Sequence, residues 1–168
     1  MHRLLVDKRI ALADVTFDMI LSVNEYLNRL RDAHRFPRRS AIRPEELGGA
    51  LGRISILEVV PGSPPDFVFR LYGTYISAAD GDEMTNRSVR EVQPQQYRDM
   101  LERHYREMLE AATPIFHEIE VQARNLRATY QRGLFPLSED DEVINKILSI
   151  SGWSSAFDRC WQLYIQHP

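Results

Sequence analysis

The chain reads as an α+β domain: a five-stranded antiparallel sheet with helices on one face, preceded by an N-terminal amphipathic helix. Three features point there. Two β-rich runs flank a Pro/Gly turn at residues 61–66, a helical apolar stripe extends from Tyr97 to Ala112, and three more strand-like runs follow Pro114 with short links between them.

Taken in order, Phe17, Ile20, Leu21, Tyr26, Leu27 and Leu30 recur at helical spacing, and Arg29, Arg31, His34 and Arg35 gather where a helix dipole is negative. Pro37 ends that helix, and Pro44 suits the first turn of a short one that Gly48 and Gly49 break. Residues 54–60 are β-branched and form the first strand; residues 67–72 form the second, with Phe67, Phe69 and Leu71 placed on one face by alternation. Thr74 can cap a short helix through Ala79. A polar loop, residues 80–86, leads to the long helix, whose inward stripe is Tyr97, Met100, Leu101, His104, Met108, Leu109 and Ala112. Strands follow at residues 115–122, 127–138 and 143–150, the last two joined by the acidic turn Glu139-Asp140-Asp141-Glu142, and such short links favour antiparallel pairing. In the tail, Ser155 with Asp158 three residues on can open a helix that puts Phe157, Trp161 and Tyr164 on one face.

Composition excludes several classes. With 43% hydrophobic and 27% charged residues, the 168-residue chain is an ordinary globular one. A net charge of -3 and no reading helix argue against nucleic-acid binding. Leu4, Leu5 and Val6 run straight into Asp7, Lys8 and Arg9, so neither a signal-peptide core nor a membrane span is expected. Cys160 is the only cysteine, which excludes an intrachain disulfide and a Cys-based zinc site, and the expected setting is the cytoplasm.

The order β-β-α-α-β-β-β is that of a PAS domain. Pro37-Arg38-Arg39-Ser40 with Ile42 and Pro44, Phe67-Val68-Phe69-Arg70-Leu71-Tyr72-Gly73-Thr74, Gly81 to Arg87, and Pro136-Leu137-Ser138 with Val143 and Ile147-Leu148 resemble the PAS-like family of small alphaproteobacterial proteins. The chain departs from that pattern at Ala41 and Arg43, where acids are usual, at Asn86, where a glycine follows threonine, and at Asp141, a usual turn glycine; Asn and Asp are the residues best able to replace glycine in a left-handed turn. The resemblance covers residues 36–150, which leaves residues 1–35 as a helical extension and 151–168 as a tail. It implies a sensory or protein-interaction module, generally without catalysis; the amphipathic leading helix adds the expectation of a homodimer through that helix or of contact with an unidentified signalling protein.

Several residues could carry function. Phe69, Leu71, Ile76, Met84, Tyr97, Met100, Leu101, His104, His117 and Tyr130 could line a pocket for a small apolar ligand, or simply fill a core. In PAS proteins that bind haem the ligand comes from the equivalent long helix, which makes His104 the haem candidate; the competing reading is a core histidine bonded to a neighbour. A flavin photosensor of that fold would need a cysteine where this chain has Asn86-Arg87-Ser88-Val89-Arg90, so neither haem nor flavin is the expected cofactor. Arg35, Arg38, Arg39 and Arg43 form a candidate contact for an anion or an acidic partner. The sequence has no GxSxG, HExxH or P-loop. The enzyme alternative is a cone-shaped α+β fold of the ketosteroid-isomerase type, with Glu118, Glu120 or His117 as base.

Overall fold

Six strands make the sheet, one more than the sequence suggests. The structure, a computed structural model describing residues 2–166, runs β1 (His2–Ile10), α1 (Asp18–Arg31), α2 (Pro44–Leu47), β2 (Ile54–Val60), β3 (Asp66–Tyr72), α3 (Thr74–Asp80), α4 (Gln95–Ala111), β4 (Ile115–Ala123), β5 (Leu126–Leu137), β6 (Lys146–Trp153) and α5 (Ser155–Ile165). The strand order is β1-β4-β5-β6-β2-β3, antiparallel throughout. The added strand is β1, paired with β4 from His2↔Ala123 to Ile10↔Phe116. Arg3, Asp7, Lys8 and Arg9 hide it from an alternation test, and charged side chains are what an edge strand carries to discourage further pairing.

Helices cover both faces of the sheet, where one covered face was expected. On one face α1 lays Ile20, Val23, Tyr26 and Leu27 against Phe116, Phe135, Leu148 and Ile150. On the other, α3, α4 and α5 pack Ala79, Met100, Met108, Trp161 and Tyr164 over Ile119, Leu134 and Ile147. Each fully buried aliphatic side chain on such a face contributes roughly 1.5 to 3 kcal/mol, so neither helical layer is dispensable. The apolar stripe of α1 is thereby used within the chain, leaving a homodimer through this helix only its polar side.

Three local details depart from simple alternation. The register shifts between Ile56 and Leu57, opposite Leu71 and Phe69, so Leu71 turns to the α1 face while Phe67 and Phe69 stay under α4. Strand β6 starts at Lys146; Val143 lies in the preceding turn, where the Asp140 carboxylate accepts from the N–H groups of Glu142 and Val143, both at 2.9 Å. Thr74 is the first residue of α3, with Gly73 in the capping position, and α5 likewise opens on Ser155 with Ser154 as the cap. Asn86 and Asp141 do adopt the left-handed conformation, with φ of 66° and 64°.

Gly73 closes the corner between β3 and the turn that precedes β2. A Cβ there would strike the Gly52 carbonyl oxygen and sit 2.7 Å from that of Ile54. Because both obstacles are backbone, Gly73→Ala is expected to cost roughly 2 to 4 kcal/mol in urea unfolding. A change below about 0.5 kcal/mol would show that the corner can open.

Candidate functional site

Beneath α4 the apolar packing gives way to a buried polar cluster centred on Arg132 of β5, which is 2% exposed. Its guanidinium donates to the Tyr130 hydroxyl at 3.1 Å and the Tyr97 hydroxyl at 3.3 Å, and lies 3.4 Å from Nδ1 of His104. Its Cζ is 5.4 Å from the Tyr130 ring centroid and 5.9 Å from that of Tyr97. No carboxylate among the described residues pairs with it directly. A guanidinium does not deprotonate in a protein, so its charge must be balanced at one remove. His104 supplies the link: its Nε2 meets Oδ1 of Asp7, on β1, at 2.6 Å, and Asp7 also pairs with Arg103. Arg132, His104 and Asp7 thus form a cation–carboxylate pair bridged by an imidazole.

His117 of β4 stacks on His104 with ring centroids 3.5 Å apart and 11° between planes. Its Nε2 lies 3.1 Å from the Glu107 carboxylate and its Nδ1 has no partner. Burial first, and then the Arg132 charge for His104 and the neighbouring His104 ring for His117, hold both imidazoles far below their ordinary pKa. The geometry agrees, since Nδ1 of His104 can accept from Arg132 only while it is unprotonated. Donor atoms of Asp7, His104 and His117 lie within 4.8 Å of one another, close enough for an ion. Yet the nearly parallel rings direct their lone pairs in separate planes, and the charges of Asp7 and Glu107 are matched by Arg103 and Arg132. The chemistry is that of a closed charge network. With both ring nitrogens of His104 engaged, the haem candidate presents no free nitrogen to an iron.

The residues expected around an apolar pocket do converge under α4, except Leu71, which the shifted register places on the other face. The room left there is small. A gap of about 20 Å³ remains between Ile76, Asp80, Tyr97, Tyr130, Phe157 and Trp161, enough for a water molecule. The tail helix is the reason: Trp161 meets Tyr97 edge-on with centroids 4.9 Å apart, and Phe157 meets Tyr130 at 5.2 Å. Asp80 borders the gap, accepting from the Trp161 indole at 2.6 Å and from the Tyr72 hydroxyl. Its carboxyl is raised to about 6, chiefly by burial, although Tyr72, Trp161 and Arg132 each pull it down.

The arginine segment is anchored by the acidic turn after β5. The Glu139 carboxylate accepts from the backbone N–H and hydroxyl of Ser40 at 3.1 and 2.8 Å, and Asp141 accepts from the N–H groups of Arg35 and Phe36 at 3.0 and 2.9 Å. These acids hold the backbone of the segment, while the guanidinium groups of Arg35, Arg38, Arg39 and Arg43 have no carboxylate at ion-pair distance among the described residues. The candidate bases of the enzyme alternative are engaged elsewhere: Glu118 with Lys8 at 3.2 Å, Glu120 with Arg127 at 3.7 Å, and His117 in the stacked pair.

Sequence reasoning found both histidines and missed Arg132, Asp7 and Asp80. The one available signal for Arg132 was a charge in an otherwise sheltered strand, with apolar Leu134 and Phe135 close behind. Asp7 gave none, because its strand was not recognised.

Two outcomes test this network. Asp7→Asn keeps the acceptor for His104 but removes the charge facing Arg132, so it is expected to cost about 2 to 4 kcal/mol and to speed amide exchange along β1 and β4 while sparing β2 and β3. Uniform faster exchange would place the loss elsewhere. In the unfolded chain Asp80 titrates near 3.8, and in the fold near 6, so the folded state holds that proton longer. Wild type should therefore lose stability relative to Asp80→Asn as pH rises from about 4 to about 7, by no more than about 3 kcal/mol. Urea midpoints across that range measure it; a flat difference would mean a solvated carboxylate.

Among the described residues no helix is long and apolar enough to cross a membrane. No curated protein matches the chain. The family described as PAS domain matches residues 17–150, from the start of α1 to the middle of β6, and leaves β1 and α5 outside. The β2-to-β6 order of the sheet, the helices between β3 and β4 and this match agree, and the chain belongs to the PAS domain family, whose members are in general sensory or regulatory modules.

Proposed function

We propose that this PAS module regulates by contact with another protein chain, and that the contact surface is the arginine segment with the adjoining turn. The observation that carries the reading is how little space is left beneath α4. Where the apolar pocket is expected, the free space is about 20 Å³, room for one water molecule and not for a small-molecule ligand. An apolar ligand there would have to expel Trp161 and Phe157 and leave their surface exposed to water.

The surface has the chemistry a partner needs. Arg35, Arg38, Arg39 and Arg43 stand on a backbone fixed by Glu139 and Asp141, so little conformational freedom is lost when they are engaged. Two residues beyond Asp141, Val143 is 61% exposed and adds an apolar contact. The acidic turn offsets much of the positive charge at long range. Recognition is therefore by direct guanidinium–carboxylate contact with an acidic partner, more than by steering from afar.

Proximity labelling from the intact protein in its native cell, compared with Arg38→Ser/Arg39→Ser/Arg43→Ser, tests the reading. A discrete partner set lost in the variant, with the circular dichroism spectrum unchanged, is the expected result. Identical labelling by both proteins would place the contact elsewhere. Native mass spectrometry of freshly purified protein should give the polypeptide mass alone; a retained apolar molecule would show that the interior opens.

A further inference from the structure

On the side of the domain where α3 and α5 meet, Arg53 presents an unsolved hydrogen-bonding problem. Its Nε and Nη1 atoms are buried and have no partner. Its Cζ is 4.1 Å from the Trp153 ring centroid and 5.8 Å from that of Tyr75, so the guanidinium is held between two aromatic rings. Ring faces attract the charge but give these N–H groups no lone pair to bond. The same side chain lines a cavity of about 210 Å³ with Tyr75, Ala78, Trp153, Asp158 and Gln162.

We propose that this cavity is a binding site for a small organic monocarboxylate, whose carboxylate reaches the Arg53 guanidinium when the exposed Tyr75 ring moves aside and uncovers the buried Nε and Nη1. A guanidinium with free N–H groups selects an oxyanion. Asp158 limits the charge: its carboxylate, fixed by the Trp153 indole at 2.7 Å, also faces the cavity and repels a second negative charge. A monoanion is favoured over phosphate on that account. Gln162 offers an amide donor for the second oxygen. Tyr75, 57% exposed, supplies an apolar wall, seated where Gly52 leaves room, since a Cβ at that position would lie 2.6 Å from its Cδ2. The volume suits a molecule of benzoate size.

The cavity shares Ala79 and Trp153 with the small gap beneath α4 but no residue with the arginine segment, so it stands or falls independently of the partner contact. Trp153, Asp158 and Gln162 lie beyond residue 150, where the family match ends. The pocket therefore combines Arg53, Tyr75 and Ala78 from within the matched region with the end of β6 and α5 from beyond it.

Isothermal titration of the full chain with benzoate, and separately with inorganic phosphate, tests the site. Benzoate should bind one per chain, at least about tenfold more tightly than phosphate. Arg53→Gln should weaken benzoate by about tenfold or more, the loss of a charged hydrogen bond, and Arg38→Gln should leave it unchanged. Asp158→Asn, which preserves an acceptor for Trp153, should strengthen benzoate about threefold and narrow its margin over phosphate. That second variant keeps the proposal open to refutation should Arg53→Gln fold poorly. Equal affinity for phosphate, retention in Arg53→Gln, or weakening in Asp158→Asn would each overturn it.

Discussion

The buried charge of Arg132 is the constraint around which the rest of this domain is arranged. Removing a guanidinium from water costs several kcal/mol even after relaxation, and two neutral hydroxyls do not recover that. The missing counter-charge comes from Asp7, some 125 positions earlier in the chain, through the imidazole of His104. That route has structural consequences. It pins β1 beside β4, fixes the tautomer of His104, and orients the long helix so that Tyr97 and His104 both face β5. The stacked His117 then follows, because a neutral ring beside a neutral ring is tolerable where two imidazolium ions would not be. A network with this many members tends to specify one arrangement strongly, since any slip leaves a buried charge alone.

The two helical layers divide the work differently. On the α1 face the contacts are aliphatic and aromatic without buried charge, and they serve to hide strands β4, β5 and β6 from water. On the α4 face the same strands meet the polar network and, joined to it through Tyr97 and Tyr130, an aromatic cluster. There α5 inserts Phe157, Trp161 and Tyr164, and Asp80 ties the cluster to α3 through the Trp161 indole. Residues 2–35 and 151–166 therefore contribute β1 and the end of β6 to the sheet and α1 and α5 to its cover, and the tail helix decides how much space is left beneath α4.

Much of this was legible in the sequence, and the failures share a cause. Periodicity located α1, α4, α5 and the hairpin, because their apolar spacing is dictated by the core each one meets. Asn86 and Asp141 take the left-handed turns that the family resemblance implies at those positions, as Asn and Asp tolerate that conformation better than most residues. What periodicity cannot show is charge placed for a partner distant in sequence. The charged pattern of β1 falls within a segment that reads as part of a helical extension until β4 is known to lie beside it, and Asp7 has no local feature linking it to His104. Leu71 was assigned to the wrong face because a register shift moves one residue across the sheet without any change in composition. The histidines were visible as inward-facing residues, but whether they hold a metal, a haem or each other depends on ring orientation, which no spacing rule contains.

The same logic explains why the arginine segment and the acidic turn belong together. A run of arginines reads as a basic patch, and an acidic turn reads as a separate solvent-facing loop. In the fold the carboxylates of Glu139 and Asp141 are spent on backbone N–H groups and a hydroxyl, which are short-range, directional interactions. The guanidinium groups, on longer and more flexible stems, have no carboxylate partner among the described residues, with that of Arg35 lying on the Phe36 ring. Charges that nearly cancel at a distance can still be unpaired at contact, and a surface of that kind discriminates by geometry. For the proposed contact with another chain, a loop whose backbone is already fixed by Glu139 and Asp141 requires no prior change of shape.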